Sequence, residues 1–330
     1  MKIFVTGGSG FVGKRLIRRL AREQHEVSAL ARSGSSTSLL EQLGARVIRG
    51  TLDDIDEWEA QLEGHDVVIH LAAPPEFWGP WELFYDGITR ATINLLAAAA
   101  RMNVKRFIFV SSEAALQDAQ PLMDIDETAP YPREPNSYRG KAKQLAEREI
   151  LDFRSDVHCV ILRPPYIWGE GNKGIENVIA KIRSGRFRWI NNGQATIETV
   201  HAENVVEAIA LACTKGGHKQ VYFVTDDDPG TVRDHFERVL EARGIEPPAK
   251  SVPNALARPL ATICDFIWKR FELRNPPPLS KYDWYFVAVP RRYRLAKIKR
   301  DLGYEPIFTR EMGLREIRES TRTNERKEPA

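Results

Sequence analysis

Ile3-Phe4-Val5-Thr6-Gly7-Gly8-Ser9-Gly10-Phe11-Val12-Gly13 is the most informative stretch of the 330-residue chain. A short apolar run ends at Thr6, glycines crowd the turn, and a helical pattern follows from Gly10 to Arg22. Glycines permit a tight turn and a close backbone approach. Free amides and the dipole at the helix start favour an anion. The last glycine lets helix and strand pack closely. Gly7, Gly10, Phe11, Val12 and Gly13 are therefore expected to cradle a pyrophosphate. A glycine triplet alone is a weak signal, and its position between a first strand and a first helix gives it weight.

Further along, strand-like runs recur at Lys2–Thr6, Glu26–Leu30, Ala45–Ile48, Asp66–His70, Arg106–Val110 and His158–Leu162, with helical patterns such as Trp81–Met102 and Gly140–Asp152 between them. Strand–helix–strand at this spacing means parallel pairing with right-handed crossovers. Wholly apolar strands such as Phe107–Val110 fit a sheet covered on both faces. The expected fold is α/β, a doubly wound parallel sheet. A helix around Val205–Ala212 and a strand at Gln220–Val224 are expected to return to it. From Pro229 the pattern changes to helices broken by prolines, a smaller and mainly helical lobe. The expected division is 1–165 plus 195–228 for the sheet domain, and 166–194 plus 229–318 for the lobe. The charged end, 319–330, is expected to fray.

Composition sets limits. Apolar residues are 42% and charged residues 28%, as in ordinary globular proteins and unlike disordered ones. The apolar run Ala91–Ala100 is closed by Arg90 and Arg101, well short of the roughly 20 residues a membrane span needs. A net charge of +3 does not by itself imply nucleic acid. Cys159, Cys213 and Cys264 are far apart and form neither a metal spacing nor a disulfide framework. No metal site is expected. With no signal-like segment before Ile3, the reading is a reducing, cytoplasmic compartment.

The second strand ends at Leu30-Ala31-Arg32-Ser33. An NAD-specific site usually carries an acid here, for the ribose hydroxyls. Arg32 instead suits a 2′-phosphate, with Ser33, Ser35 and Ser36 as donors. NADP(H) is the expected cofactor, with NAD as second choice.

With the glycine turn, later landmarks stand in a particular order. They are His70-Leu-Ala-Ala73, Val110-Ser-Ser112, Leu162-Arg-Pro-Pro165, Ile167-Trp-Gly-Glu-Gly171, Val200–Val205, Tyr222–Asp226, Pro276–Leu279 and Leu302-Gly-Tyr-Glu-Pro306. Together they cover nearly the whole chain. The chain resembles the extended short-chain dehydrogenase/reductase (NAD-dependent epimerase/dehydratase) family, and within it the 3β-hydroxysteroid dehydrogenase-like branch. That resemblance implies a Rossmann-type domain. It places Leu71, Ala72 and Ala73 along the cofactor, Pro164 and Pro165 beside the nicotinamide, and Ser112 at the catalytic hydroxyl position. A hydroxyl at a strand's C-terminal end can also bond a carbonyl oxygen on chemical grounds. The family often has Gly-Asp-Leu near the adenine. Here the run is Gly50-Thr51-Leu52, so Thr51 and Leu52 hold those positions and Asp53 or Asp54 would have to compensate.

The family's reductases use Tyr-x-x-x-Lys, a phenol whose proton is managed by an ammonium one helical turn away. The local run is Ser137-Tyr-Arg-Gly-Lys-Ala-Lys143. Lys143 takes the lysine position and would bond the nicotinamide ribose. Arg139 takes the tyrosine position, and Tyr138 falls one residue early. Three readings stay open. Tyr138 supplies the phenol through a shifted helix start; or Ser112, Glu113 or Tyr166 does the acid–base work; or the chain binds its cofactor without turnover, as a scaffold or sensor. A guanidinium is no proton donor in a protein.

The implied function is hydride transfer between a ketone and an alcohol on an apolar, steroid-like or long-chain substrate. A nucleotide-sugar epimerase or dehydratase is the alternative. The loop Pro74–Trp81, with Tyr85, Tyr166 and Trp168, could wall the substrate. The stripe Ile263, Phe266, Ile267 and Phe271 reads as core or interface. Peripheral membrane docking is the other reading of that stripe, though Asp265 interrupts it. Arg291–Arg300 has six basic residues in ten. It reads as a solvated helix face rather than a nucleic-acid patch, since no aromatic platform accompanies it. His201 reads as structural. By family analogy the long helices could pair two copies into a homodimer.

Overall fold

The computed structural model describes residues 1–273 and 275–325. Seven strands form one sheet: β1 (Lys2–Thr6), β2 (Glu26–Ala31), β3 (Arg46–Arg49), β4 (Val67–His70), β5 (Arg106–Val110), β6 (His158–Arg163) and β7 (Gln220–Phe223). The order is β7-β6-β5-β4-β1-β2-β3. Every neighbouring pair is parallel. The winding reverses between β1 and β4, where an open sheet of this kind leaves a crevice at its strand ends.

The helices are α1 (Phe11–Arg22), α2 (Gly34–Gln42), α3 (Ala91–Arg101), α4 (Tyr138–Asp152), α5 (Lys173–Arg183), α6 (Ala202–Ala212), α7 (Val232–Ala242), α8 (Asn254–Arg270), α9 (Lys281–Ala288), α10 (Ala296–Leu302) and α11 (Arg310–Glu325). Alternation along the strands divides the core. Ile3 and Val5 pack with Leu16 and Ile17 of α1 and Val205 and Ile209 of α6. Phe4, Phe107 and Phe109 face the other way, onto Leu95 and Leu96 of α3 and Ala142 and Ala146 of α4. Two apolar faces per strand are why these strands read as continuous apolar runs.

The mainly helical lobe packs its own clusters around Trp168, Trp189 and Phe236 and around Trp284 and Tyr285. Short strand pairs join it to the part that carries the sheet. Tyr166–Trp168 pairs with Thr199–His201, and Leu122–Ile125 pairs with Arg291–Tyr293. All three cysteines are buried and unpaired.

Three expectations need correcting. The helix expected over Trp81–Met102 is three pieces: Trp81–Phe84, a π-helical turn at Tyr85–Arg90, and α3. The wide turn sets Gly87 against Pro74, where an added Cβ would lie 2.6 Å from the proline ring. The tail does not fray at 319, because α11 continues to Glu325. Leu314 and Ile317 are buried and Glu316 pairs with Arg15 at 2.7 Å, so the helix is anchored before its charged end. Residues 326–330 lie outside the described residues. The basic run 291–300 is not one solvated helix face. Its first residues form a strand, and Arg291 is fully buried against Glu113.

Candidate active site

The glycine turn is shaped by backbone contacts. Gly7 has φ +73°, and a Cβ there would lie 2.7 Å from the Ala72 amide nitrogen. A Cβ on Gly13 would lie 2.2 Å from the Gly7 carbonyl oxygen. The Gly10 amide closes the turn onto that same carbonyl at 3.0 Å. Gly10 is also the N-cap of α1, and no side chain caps the helix. The first amides of α1, around Phe11 and Val12, are thus left to an outside acceptor. These residues fit a dinucleotide pyrophosphate, with Leu71 and Ala72 lying directly against the turn.

Beneath it, Thr6 Oγ1 and His70 Nδ1 are 2.7 Å apart, and His70 Nε2 lies 3.1 Å from Thr92 Oγ1. Burial, then the Lys143 charge, lowers the His70 pKa to about 3. A neutral imidazole therefore ties the ends of β1 and β4 to α3.

At the end of β2, Arg32 is exposed, and α2 starts two residues later. Ser33 caps it, accepting the Ser36 amide at 3.3 Å, with the Ser35 hydroxyl at 3.1 Å. One cation and three hydroxyls thus gather at a helix start that has open space at Gly34. After β3, Thr51 Oγ1 donates to Asp54 at 2.9 Å, and Trp58 donates to the Thr51 carbonyl at 2.7 Å. Thr51 and Asp54 are engaged with each other. Leu52 packs toward the α3 side of the sheet, as does Ala73.

The end of β5 is joined to β6. The Ser111 amide donates to Leu162 O at 2.8 Å and the Glu113 amide to Pro164 O at 3.1 Å. Ser112 is thereby set beside Pro164 and the buried Pro165. Its hydroxyl accepts the Ala114 amide at 3.2 Å.

Helix α4 starts at Tyr138, with Ser137 as its capping residue. The helix start is therefore not shifted past Tyr138. Tyr138 and Lys143 stand about 140° apart around the axis, while Arg139 and Lys143 are about 40° apart. Lys143 is buried and donates to Val110 O at 2.8 Å, over the Phe109 ring. Burial, then the Arg139 charge, lowers its pKa to about 7. One turn on, Glu147 is paired with Arg163 and accepts from Tyr131 at 2.7 Å, all packed between α4 and β6. This fixes the rotation of α4 and hence where Lys143 points.

Arg139 donates to the carbonyls of Pro74 and Glu76 and lies 5.1 Å from the Phe77 ring centroid. It pins the loop after β4. Tyr138 meets Trp81 edge-on, with Lys269 Nζ 4.8 Å from its ring centroid. Phe77, Trp78, Tyr138, Asp265, Lys269 and Tyr282 line one narrow cavity. Tyr282 stacks on Phe77. Burial pushes its phenol up to about 12, with the Arg139 charge acting in the opposite direction.

Beside Ser112, Glu113 is buried, accepting from Gln117 at 3.0 Å and from the Tyr293 phenol, with Arg291 Nε ion-paired to it at 3.2 Å. Burial still raises its pKa. Tyr282, Lys269, Arg291 and Tyr293 escaped the sequence reading. The proline run before α9 was the only cue to Tyr282, and the two arginines and tyrosine of 291–293 sat inside a basic stretch. His201 is buried, stacked on Phe308 at 4.2 Å, with Nε2 3.2 Å from Glu316, which is a structural role. Among the described residues, no cluster of His, Cys, Asp and Glu could hold a metal.

The model of the NAD dependent epimerase/dehydratase family matches residues 3–225. The chain is 32% identical to a "4-hydroxy-2-methyl-3-oxo-4-farnesyl-3,4-dihydroquinoline-1-oxide ketoreductase" of Stigmatella aurantiaca, covering 97% of this chain and 96% of that one. It is 30% identical to a "3 beta-hydroxysteroid dehydrogenase/Delta 5-->4-isomerase" of Mycobacterium tuberculosis, covering 96% and 89%. The crystal structure of gox2253 superimposes with a TM-score of 0.80 at 25% identity, covering 99% of both chains.

Proposed function

Because this chain belongs to the NAD dependent epimerase/dehydratase family, we propose that it is an NADP(H)-dependent oxidoreductase of its 3β-hydroxysteroid dehydrogenase-like branch. It interconverts a ketone and an alcohol on an apolar, long-chain or steroid-like small molecule. The observation that carries this reading is the uncapped start of α1 closed against Ala72, in a chain similar end to end to a ketoreductase. Phe77, Trp78, Tyr138 and Tyr282 form one aromatic wall of the cavity, opposite Asp265 and Lys269, and such a wall favours an apolar ketone over a nucleotide sugar.

In this reading Gly7, Gly10, Phe11, Val12 and Gly13 hold the pyrophosphate. Arg32 holds the 2′-phosphate, helped by the serines that start α2. Thr51 and Leu52 flank the adenine; Leu71, Ala72 and Ala73 line the middle; Pro164 and Pro165 border the nicotinamide. When bound, the dinucleotide supplies or accepts a hydride. Ser112 donates its hydroxyl to the substrate oxygen, releasing the Ala114 amide. Tyr138 gives that oxygen its proton from Oη. Lys143 exchanges the Val110 carbonyl for the ribose hydroxyls. Tyr138 is rotated away from Lys143, so the ammonium beside the phenol is Lys269. Tyr282 is a second candidate donor, favoured by its place on the same cavity wall and by its proximity to Arg139. The three buried free thiols support a reducing, cytoplasmic compartment.

The test is turnover with NADPH and NADH, each offered a long-chain 3-oxo ester, a 3-oxo steroid and UDP-glucose. Consumption of NADPH with an oxo substrate, lost in Ser112→Ala and in Tyr138→Phe, is expected. Loss in Tyr282→Phe but not Tyr138→Phe would move the proton to Tyr282. UDP-glucose epimerised without net cofactor change would replace the reading with the epimerase. NADPH bound but never consumed would replace it with a scaffold.

A further inference from the structure

A second groove lies where the strand Arg291–Tyr293 runs into α10 and faces Glu198, just before the strand Thr199–His201. It shares no lining residue with the cavity around Tyr138. It offers about 320 Å³ of open space, the scale of a small-molecule site. Its floor is buried: Glu198 is 2% exposed, Tyr293 4% and Leu295 5%. Its rim is charged, with Asp124, Asp227, Arg292, Arg294 and Lys299.

The floor carries an unmet demand. Glu198 Oε2 is buried and has no hydrogen-bond partner, a state that native interiors seldom keep without a ligand or an ordered water. The nearest cations are engaged elsewhere. Arg292 pairs with Asp124 at 3.5 Å, and Lys299 pairs with Asp227 at 2.8 Å. Among the described residues, two charged groups of the groove are left without an ion pair, Glu198 on the floor and Arg294 on the rim. The Arg294 backbone is fixed, its amide donating to Ile125 O at 2.8 Å.

The two remaining charges are opposite in sign. A simple cation would meet Glu198 but also Arg294, and a simple anion would meet the reverse. A molecule carrying both an ammonium and a carboxylate satisfies each. A bare metal ion does not suit the groove, because three cations line it and, among the described residues, no cluster of His, Cys, Asp and Glu could hold one. Burial pushes the Glu198 pKa up to about 7; the Asp227 and Asp226 carboxylates add to the rise, while the Thr225 hydroxyl and Arg292 oppose it. An arriving ammonium would favour the ionised form. We propose that this groove binds a small zwitterion of the α-amino acid type, its ammonium on Glu198 Oε2 and its carboxylate on Arg294. The site does not rest on the proposed reductase function. Tyr293 on its floor also donates to Glu113 beside Ser112, so the ligand would stand one side chain away from the proposed active site.

The test is calorimetric titration of the full chain at pH 8 with each of the twenty common α-amino acids, and with acetate and methylammonium as half-ligands. At least one amino acid is expected to bind, and neither half-ligand at the same concentrations. Glu198→Gln and Arg294→Ser should each weaken that binding by about tenfold or more. Thermal melting checks that Glu198→Gln is folded, and the exposed Arg294 gives a variant that leaves the core untouched. Ser112→Ala should bind as the parent does, which separates the groove from the proposed active site. Affinity should be about tenfold lower at pH 6 than at pH 8, because below about pH 7 Glu198 must first give up its proton. Binding of no amino acid overturns the proposal. So does binding that survives both variants, that is lost in Ser112→Ala, that acetate or methylammonium alone matches, or that is equal at the two pH values.

Discussion

The two ends of the crevice are built differently. At the end proposed to hold the dinucleotide the shape comes from backbone: Gly7 against Ala72, Gly13 against the Gly7 carbonyl, and a helix start with no side-chain cap. At the end proposed to take the substrate the shape comes from long side chains reaching across the fold. Arg139 pins the loop after β4, Arg291 crosses from the lobe to Glu113, and Lys269 reaches Tyr138. A backbone site tolerates few substitutions, so it keeps its sequence signature. A side-chain site depends on single residues, as the loop after β4 does on Arg139.

The largest expected effect is at the substrate end. Arg291→Met would leave the Glu113 carboxylate buried with only Gln117 and Tyr293, and should cost about 3–5 kcal/mol in urea unfolding. The sign of its pH dependence follows. Burial raises the Glu113 pKa, and Arg291 opposes that. Without Arg291 the folded state holds the proton more tightly than the unfolded chain does. Stability in the variant should therefore fall as pH rises above the usual carboxylate range, more steeply than in the parent. A flat profile would mean the pair adds nothing.

At the other end, Gly13→Ala should weaken NADPH binding by at least about 100-fold in a fluorescence titration, because its Cβ has no room beside the Gly7 carbonyl. Equal sensitivity of the two ends to small substitutions would erase the contrast between them. Arg32→Ala should be milder. A loss of about 10- to 30-fold for NADPH, with NADH unchanged, is the expected cost of one charge-assisted contact. A parallel loss for both nucleotides would take the 2′-phosphate away from Arg32.

The smallest effect is electrostatic. Burial first and Arg139 second hold the Lys143 pKa down to about 7. Below that value the ammonium is charged in the folded protein, and above it neutral. Arg139→Gln should move the corresponding limb in the pH profile of NADPH binding upward by less than about one unit. An unmoved limb would separate the two residues.

The legibility of the sequence follows the same division. The strands, their parallel pairing and the tight glycine turn could be read because apolar runs and glycine spacing reflect local geometry. That Ser112 stands beside Pro164 was not read from the sequence; it follows from β5 and β6 being neighbours in the sheet. Tyr138 could be flagged but not placed, since its rotation depends on Ser137 starting the helix and on Glu147 meeting Arg163. Arg291 was hidden because burial of an arginine depends on an acid 178 positions earlier in the chain. Asp265 looked like a break in the α8 stripe until its partners on α9 and at Lys269 showed which way it points.

The most direct measurement uses NADPH carrying deuterium at both C4 positions of the nicotinamide, incubated with the protein and a long-chain 3-oxo ester, with the product alcohol weighed by mass spectrometry. One deuterium on the new carbinol carbon for each NADPH consumed would show that the crevice transfers hydride with Arg139 at the tyrosine position. Bound NADPH with no labelled alcohol for 3-oxo esters or steroids would contradict that, and would leave a chain that keeps the dinucleotide cradle without the reaction.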